Sequence, residues 1–436
     1  MAYTRYHADW QNTPSTATPV TAESLEWMES GIVSASRAPG AIFVAASDAP
    51  DVVKASADIV CDGTADQAEI NAAFTASHLA GSTQGFGAVE LSAGTFYLTG
   101  PVLIPGRGAA LYGQGIKTEL RIDTTQSTFI ANASGGQGTD KALIMFATTA
   151  EAQNAVNVFI SKLSVNAGVW SGSQWTARGI GGIILDQSAG GSTTGTSYPT
   201  YGWPTSPTSG DTYHRVTDLY FWYVTYGVRF VGGGSTYSRG NNVANCRGGR
   251  VSVAGYSSSG ASDCHFSQCH VIGSTAANAA GFLAGGGSTR MSGCKAAYFN
   301  DTGAIGFNVS SSRVSMGDCE AQDCMNGVRV TGADARLTGV RVETQEDPCD
   351  IAVEISGNNC SATGLWIHTR GTGTWARGLN FDSTSDDHQV QALIDPTGIT
   401  TSVSVGAGAE ITSTANLPRG SYAIRVVGNP GTTLNK

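Results

Sequence analysis

Charge is scarce in this chain: Asp, Glu, Lys and Arg make up 14% of 436 residues, against about 25% in an ordinary globular domain. The 25 basic residues are outnumbered by 34 acidic ones, leaving a formal net charge of -9. A nucleic acid is therefore a poor partner. No apolar run approaches the ~18 residues of a membrane span, so no span is expected. No Ser or Cys sits in a nucleophile motif, and no dense cluster of Asp offers the several oxygens that a calcium ion takes. No cofactor or resident metal is expected. Aromatic residues, at 8%, are too frequent for a disordered chain. What is abundant is glycine, 57 residues, with Ser and Thr, a composition of tight turns and of surfaces made from hydroxyls and amides.

The informative pattern is a repeat. Cys269, Cys294 and Cys319 recur at equal spacing, inside segments that superpose as NCRGG from Asn245, QCHVI from Gln268, GCKAA from Gly293 and DCEAQ from Asp318. KLSVN from Lys162, DLYFW from Asp218, GVRVE from Gly339 and GLWIH from Gly364 extend the column. One apolar column holds Leu163, Leu219, Cys246, Cys269, Cys294, Cys319, Val340 and Leu365. Two residues on, another holds Val165, Phe221, Gly248, Val271, Ala296, Ala321, Val342 and Ile367. Alternation of this kind is strand periodicity. A second strand follows in YGVRFVG, NGVRVTG, IAVEISG and RGLNFDS. It would stack Val228, Val328, Val353 and Leu379 in one column, with Phe230, Val330, Ile355 and Phe381 in the next.

Short strands repeated at this interval, with no helical pattern between them, predict an all-β solenoid, a right-handed parallel β-helix. A solenoid grows along one axis, so 436 residues need not divide into several cores. Its narrow interior suits small buried thiols. Nine cysteines is an odd number, and no secretory signal is visible, so reduced ladders are expected rather than disulfides. Cys324 and Cys349 each lie four residues before a second-strand valine and should stack too.

The ends differ from the shaft. Residues 1–37 hold a helix from about Ala22, capped by Thr21, and a linker, SRAPG. Such a segment is too short for a core and reads as a docking element. The shaft is expected over 38–389, opening with a strand that ends at Cys61 and an amphipathic helix over about 67–79 that covers the first coil. Asp62, Asp66 and Glu69 do not keep EF-hand spacing, and Asp66 reads as a helix cap. Gly113 and Gly115 have no helix after them, so they are no phosphate loop. From about Val390 the coil pattern is expected to fade, leaving 390–436 as a C-terminal cap or trimerisation segment with a strand at SYAIRVV.

CDGTADQAEINAAF, GAVELSAGTFYLTGP and LYGQGIKTEL resemble the opening of pectate-lyase-like proteins, a superfamily of right-handed parallel β-helices that includes many phage tailspikes. NTPSTATPVTAESLEWMESGI is similar to the start of minor tail proteins and tail fibres of phages that infect actinobacteria. The resemblance covers about the first 120 residues and brings no catalytic positions with it. It implies a virion protein at the tail tip, assembled in the host cytoplasm. It further implies a homotrimer, attached to other tail proteins by its N-terminus, that binds host cell-wall or capsular polysaccharide and sometimes cleaves it.

Between the two inward columns lies an outward one: Tyr220, Arg247, His270, Lys295, Glu320, Arg341 and Trp366. Just beyond come Trp222, Ile272, Ala297, Gln322, Glu343 and His368. Glu320 and Glu343, on adjacent coils and offset by two residues, would have Cα atoms about 8 Å apart. A carboxyl pair so placed could serve an inverting glycosidase, with Asp323, Glu346 and Asp347 in the turns beyond. An ordinary ion pair between Glu320 and Arg341 accounts for the same residues. A lyase of the resembled superfamily would want Lys295 or Arg341 as base. Glu354 beside Arg329 reads as a ladder ion pair. Candidate glycan contacts are His270, Trp366 and His368 on this face, and Trp170, Trp175, Tyr201 and Trp203 on two Gly/Ser/Pro-rich insertions, where exposed rings can stack on sugars. Three functions stay open: a glycan-binding spike, a glycan depolymerase and a purely structural tail component.

Overall fold

The computed structural model describes residues 41–77, 87–106, 108–123, 142–146, 157–170, 175–177, 179–186, 212–232, 238–381, 388–395, 398–405, 409–413 and 421–428. They form a right-handed parallel β-solenoid of about ten turns. Each regular turn contributes three strands, as in Arg290–Ser292, Lys295–Ala297 and Ile305–Val309, followed one coil later by Ser315–Gly317, Glu320–Gln322 and Asn326–Val330. The first two belong to one continuous sheet and the third to a second sheet across the core.

A bend separates the first two strands of a turn, and its cause is local. The residue at the bend is left-handed in eight successive rungs: Lys162, Asp218, Asn245, Gln268, Gly293, Asp318, Gly339 and Gly364 have φ between 51° and 67°. These are the residues that open the superposed segments. Gly, Asn and Asp tolerate this conformation best, which explains why six of the eight are of those types. A second left-handed corner follows the second strand at Tyr223, Arg250, Tyr298 and Asp323.

The inward columns hold. Leu219 pairs with Leu163, Val271 with Ala296, Ala296 with Ala321, Ala321 with Val342, and Val342 with Ile367. All of them, with Cys246, Cys269, Cys294 and Cys319, are buried. The nine cysteines are free and buried. A hydrogen bond with Cys269 pushes the Cys294 thiol up to about 12, and burial does the same for Cys324. Facing the thiols, Tyr256, Phe282 and Phe307 stack at centroid separations of 4.8 Å and 4.8 Å, the separation of neighbouring strands.

One further buried column runs along the corner before the first strand: His214, Asn241, Cys264, Thr289, Val314, Ala335, Cys360 and His388. Its polar members reach back one coil. His214 Nδ1 accepts the Val158 N–H at 3.3 Å, Asn241 Oδ1 accepts the His214 N–H at 3.0 Å, and His388 Nδ1 accepts the Cys360 N–H at 3.3 Å.

The helix Gln67–Ser77 closes the first coil with Ile70, Ala73 and Phe74. Asp66 stands just before it, but its carboxylate turns away from the helix and accepts the N–H groups of Gly63 at 2.9 Å and Tyr97 at 2.7 Å. At the other end the coil outlasts its expected limit. His388–Ile394 and Ile399–Val405 add further parallel rungs, and His388–Ile394 alternates strictly between buried and exposed residues. Only then does Ser421–Gly428 pair antiparallel with His388–Ile394, with Ala409–Ser413 beside it. Among the described residues no helix is long and apolar enough to cross a membrane. The N-terminal helix expected near Ala22 lies outside the described residues.

Candidate functional site

The outward ladder keeps its expected register. Tyr220, Arg247, His270, Lys295, Glu320, Arg341 and Trp366 are successive Cα partners. The next outward column runs Trp222, Gly249, Ile272, Ala297, Gln322, Glu343 and His368 through the same pairings.

What the side chains do differs from the expected ion pair between Glu320 and Arg341. Lys295 Nζ donates to Glu320 Oε1 and to Gln322 Oε1, each at 2.6 Å. Arg341 turns along its own strand and pairs with Glu343. Glu343 is only 2% exposed. Its Oε1 accepts Gln345 Nε2 at 3.0 Å, and its Oε2 lies 3.0 Å from His368 Nε2 and 3.7 Å from Arg370 Nε. Arg341 Nε also points at His368 Nε2, at 3.2 Å. One nitrogen cannot accept from Arg341 and donate to Glu343 at once. Burial holds the His368 pKa below the ordinary imidazole value.

Trp366 crowns the cluster. Its indole stacks on His368 with centroids 4.3 Å apart and planes 13° apart, and the Arg341 guanidinium lies 4.9 Å from the ring centre. Even so, 39% of Trp366 is exposed. Together these groups form an aromatic edge with guanidinium and imidazole beside it. That combination can hold the apolar face of a sugar and hydrogen-bond its hydroxyls.

The other candidates take separate places. Asp323 is fully buried. Its Oδ1 accepts the N–H groups of Gln345 at 2.6 Å and Glu346 at 3.3 Å and the Thr344 hydroxyl at 3.2 Å, so it fixes the turn of the next coil. Asp347 accepts Asn300 Nδ2 at 3.0 Å. Arg329 and Glu354 make the expected ladder pair at 2.6 Å. Trp170 and Trp175 are Cα partners in a short antiparallel hairpin; their side chains, and all of Tyr201 and Trp203, lie outside the described residues. Cys61, Asp66 and Glu69 bring donor atoms within 4.8 Å of one another, but the Asp66 oxygens already hold backbone N–H groups. Sequence reasoning missed Gln345 and Arg370. For Arg370 the signal was present: Trp366, His368 and Arg370 continue one alternation.

The comparison with protein families agrees with this architecture. A family model described as the right handed beta helix region matches residues 208–381. Among solved structures, the chain is similar to the ORF18 protein of Geobacillus virus E2, at 15% identity over 89% of this chain and 67% of that one, with a TM-score of 0.49. It is also similar to a mannuronan C-5 epimerase A-module of Azotobacter vinelandii, at 13% identity over 78% and 92% of the two chains, TM-score 0.42. Full-length tailspike protein 2 of Escherichia coli O157:H7 bacteriophage CAB120 is similar at 15% identity over 73% and 42%, TM-score 0.43. No curated protein matches the chain. At these identities and TM-scores the likenesses to solved structures assign no activity; the right-handed parallel β-helix rests on the coils themselves and on the matched family region.

Proposed function

We propose that this chain is a phage tail spike or minor tail protein whose shaft binds host cell-surface glycan on the face that carries Trp366. The observation that carries the reading is the half-exposed Trp366, packed on His368 and Arg341 within a continuous outward ladder. The virion assignment rests on the resemblance of the N-terminal segments. With it come a homotrimer and attachment to the tail through residues 1–37.

Binding is favoured over hydrolysis by the state of the two carboxylates. Glu320 is held by Lys295, and Glu343 is enclosed with Arg341, Gln345 and His368 around it. An inverting pair needs one acid free to give a proton and one base facing a water. Incubation with purified host envelope polysaccharide tests both readings. We expect retention of the polymer without new reducing ends or unsaturated uronate, and Trp366→Ala should weaken retention by ~1–3 kcal/mol. Cleavage that disappears in Glu320→Gln and Glu343→Gln would instead make the protein a glycosidase. Light scattering from a stable 44.8 kDa monomer would remove the trimer from the proposal.

A further inference from the structure

Six coils back along the same face lies a second aromatic feature built on a pair of glycines. Phe221 points inward and Trp222 outward on one rung; on the next rung they meet Gly248 and Gly249. A Cβ on Gly248 would lie 2.3 Å from the Phe221 ring. A Cβ on Gly249 would lie 2.9 Å from Trp222 Cζ3 and 2.2 Å from the Ile272 carbonyl oxygen. The inner glycine therefore admits a large core ring, while the outer one lets the indole of Trp222 lie down on the sheet. Trp222 is nevertheless 37% exposed, and Ile272, the next residue along that column, is 38% exposed. Tyr298, at the corner beside them, is exposed too.

Polar groups border this platform. His270 sits in the neighbouring outward column, between Arg247 and Lys295, and its Nε2 is enclosed with no hydrogen-bond partner. Burial, with Lys295 and Arg247 beside it, holds the imidazole pKa below its ordinary value. An orphaned neutral imidazole nitrogen costs stability unless something completes it. Its Cα partners on the coils before and after, Arg247 and Lys295, carry long side chains that can change rotamer. The hairpin bearing Trp170 and Trp175 starts at the same end: the Ala167 N–H donates to the Trp222 carbonyl at 3.2 Å, and Gly168 abuts Tyr223.

We propose that the Trp222 platform is a second carbohydrate subsite, in which a pyranose ring lays its apolar face on the indole and Ile272 and a hydroxyl completes His270 Nε2. This rests on the glycan-binding reading and deepens it. From Trp222 the column passes Gly249, Ile272, Ala297, Gln322 and Glu343 to reach His368 beside Trp366, six steps of ~4.8 Å. A ligand touching both poles therefore spans about 29 Å along the solenoid axis. That length requires a linear polymer. A mono- or disaccharide can occupy one pole only.

The test uses the full-length protein on a printed array of bacterial surface glycans, followed by calorimetric titration with size fractions of the best-bound polysaccharide. Trp222→Ala should weaken binding of long fragments about ten-fold or more, and His270→Leu several-fold, about 2- to 10-fold. Trp222→Phe, which keeps a stacking face, should stay close to wild type. Short fragments should bind weakly to the parent protein and gain affinity once they span both poles. Melting curves of each variant establish that the shaft is intact, and Ile272→Ser offers an independent change on the same platform. Binding that is lost in Trp366→Ala but unchanged in Trp222→Ala and Ile272→Ser would overturn the second subsite and leave the glycan-binding reading standing. No binding of any glycan by the parent protein would end both. If Trp222→Ala instead dissociates an oligomer in sedimentation, the platform is an interface between copies and the subsite falls.

Discussion

Cys294 and Lys295 are neighbours in sequence, yet they belong to regions governed by different physics. Cys294 points into a column of thiols in which each position is a fixed volume, closed on the far side by Tyr256, Phe282 and Phe307. Lys295 points out to a ladder in which each side chain chooses among partners above, below and alongside. Inside, neighbours across coils share one fixed volume, filled by like side chains stacked at strand spacing or by a large ring over a glycine, as Phe221 lies over Gly248. Outside, neighbours differ in charge and shape, because each pair is a separate electrostatic choice. The inner column is therefore sensitive to volume, and the outer one to the identity of a partner.

The widest separation between the two should come from overpacking. Cys294→Trp adds a ring between the thiols of Cys269 and Cys319, and soluble expression should be lost; Cys294→Ala should express and lose only about 1 kcal/mol. A soluble, folded tryptophan variant would mean that the core is looser than close packing implies.

Acid is the next lever, and it acts on the core. His214 lies between Phe146 and Phe230, with centroids at 5.7 Å and 6.4 Å, and burial pushes its pKa from 6.5 down to about 3. The folded state then binds fewer protons than the unfolded one. Its contribution is complete above about pH 6.5 and is lost as the pH falls towards 3. The loss is on the order of 5 kcal/mol at the acid limit. Thermal melts across that window should show it, and His214→Asn, which keeps an acceptor as Asn241 does one coil on, should flatten the acid limb.

On the outer ladder the effects should be smaller and graded by burial. Glu343→Gln leaves Arg341 without its enclosed counter-charge and should cost about 1–3 kcal/mol in denaturant titrations. Glu320→Gln breaks a pair whose side chains are 27% and 32% exposed, so it should cost less than ~1 kcal/mol. Equal losses at the two sites would erase the distinction drawn between the buried and the exposed carboxylate.

Much of the fold was legible in the residues. The alternation around the cysteines gave both inward columns and the register of the outward ones, because a one-residue slip would turn the core face to water. The left-handed corner emerged only from the backbone, although Asn, Asp and Gly open six of the eight segments. The buried corner column from His214 to His388 was not legible, since its members range from imidazole and amide to thiol and plain aliphatic side chains, and only His214, Asn241 and His388 accept a backbone N–H across coils. The continuation of the coil past Val390 was obscured by irregular spacing, although its alternating burial was written in HQVQALI.

By itself, then, the sequence determined which residues stack and which side of the sheet each one faces. Those follow from periodicity and from side-chain volume, properties carried by the chain alone. The tertiary structure decided what the outward side chains do with that position. It gave Arg341 to Glu343 and left Glu320 to Lys295, turned Asp323 into a tie for the next turn, and laid Trp222 across Gly249. Long polar and aromatic side chains reach several neighbours of similar energy, and only the packed coils before and after them select one.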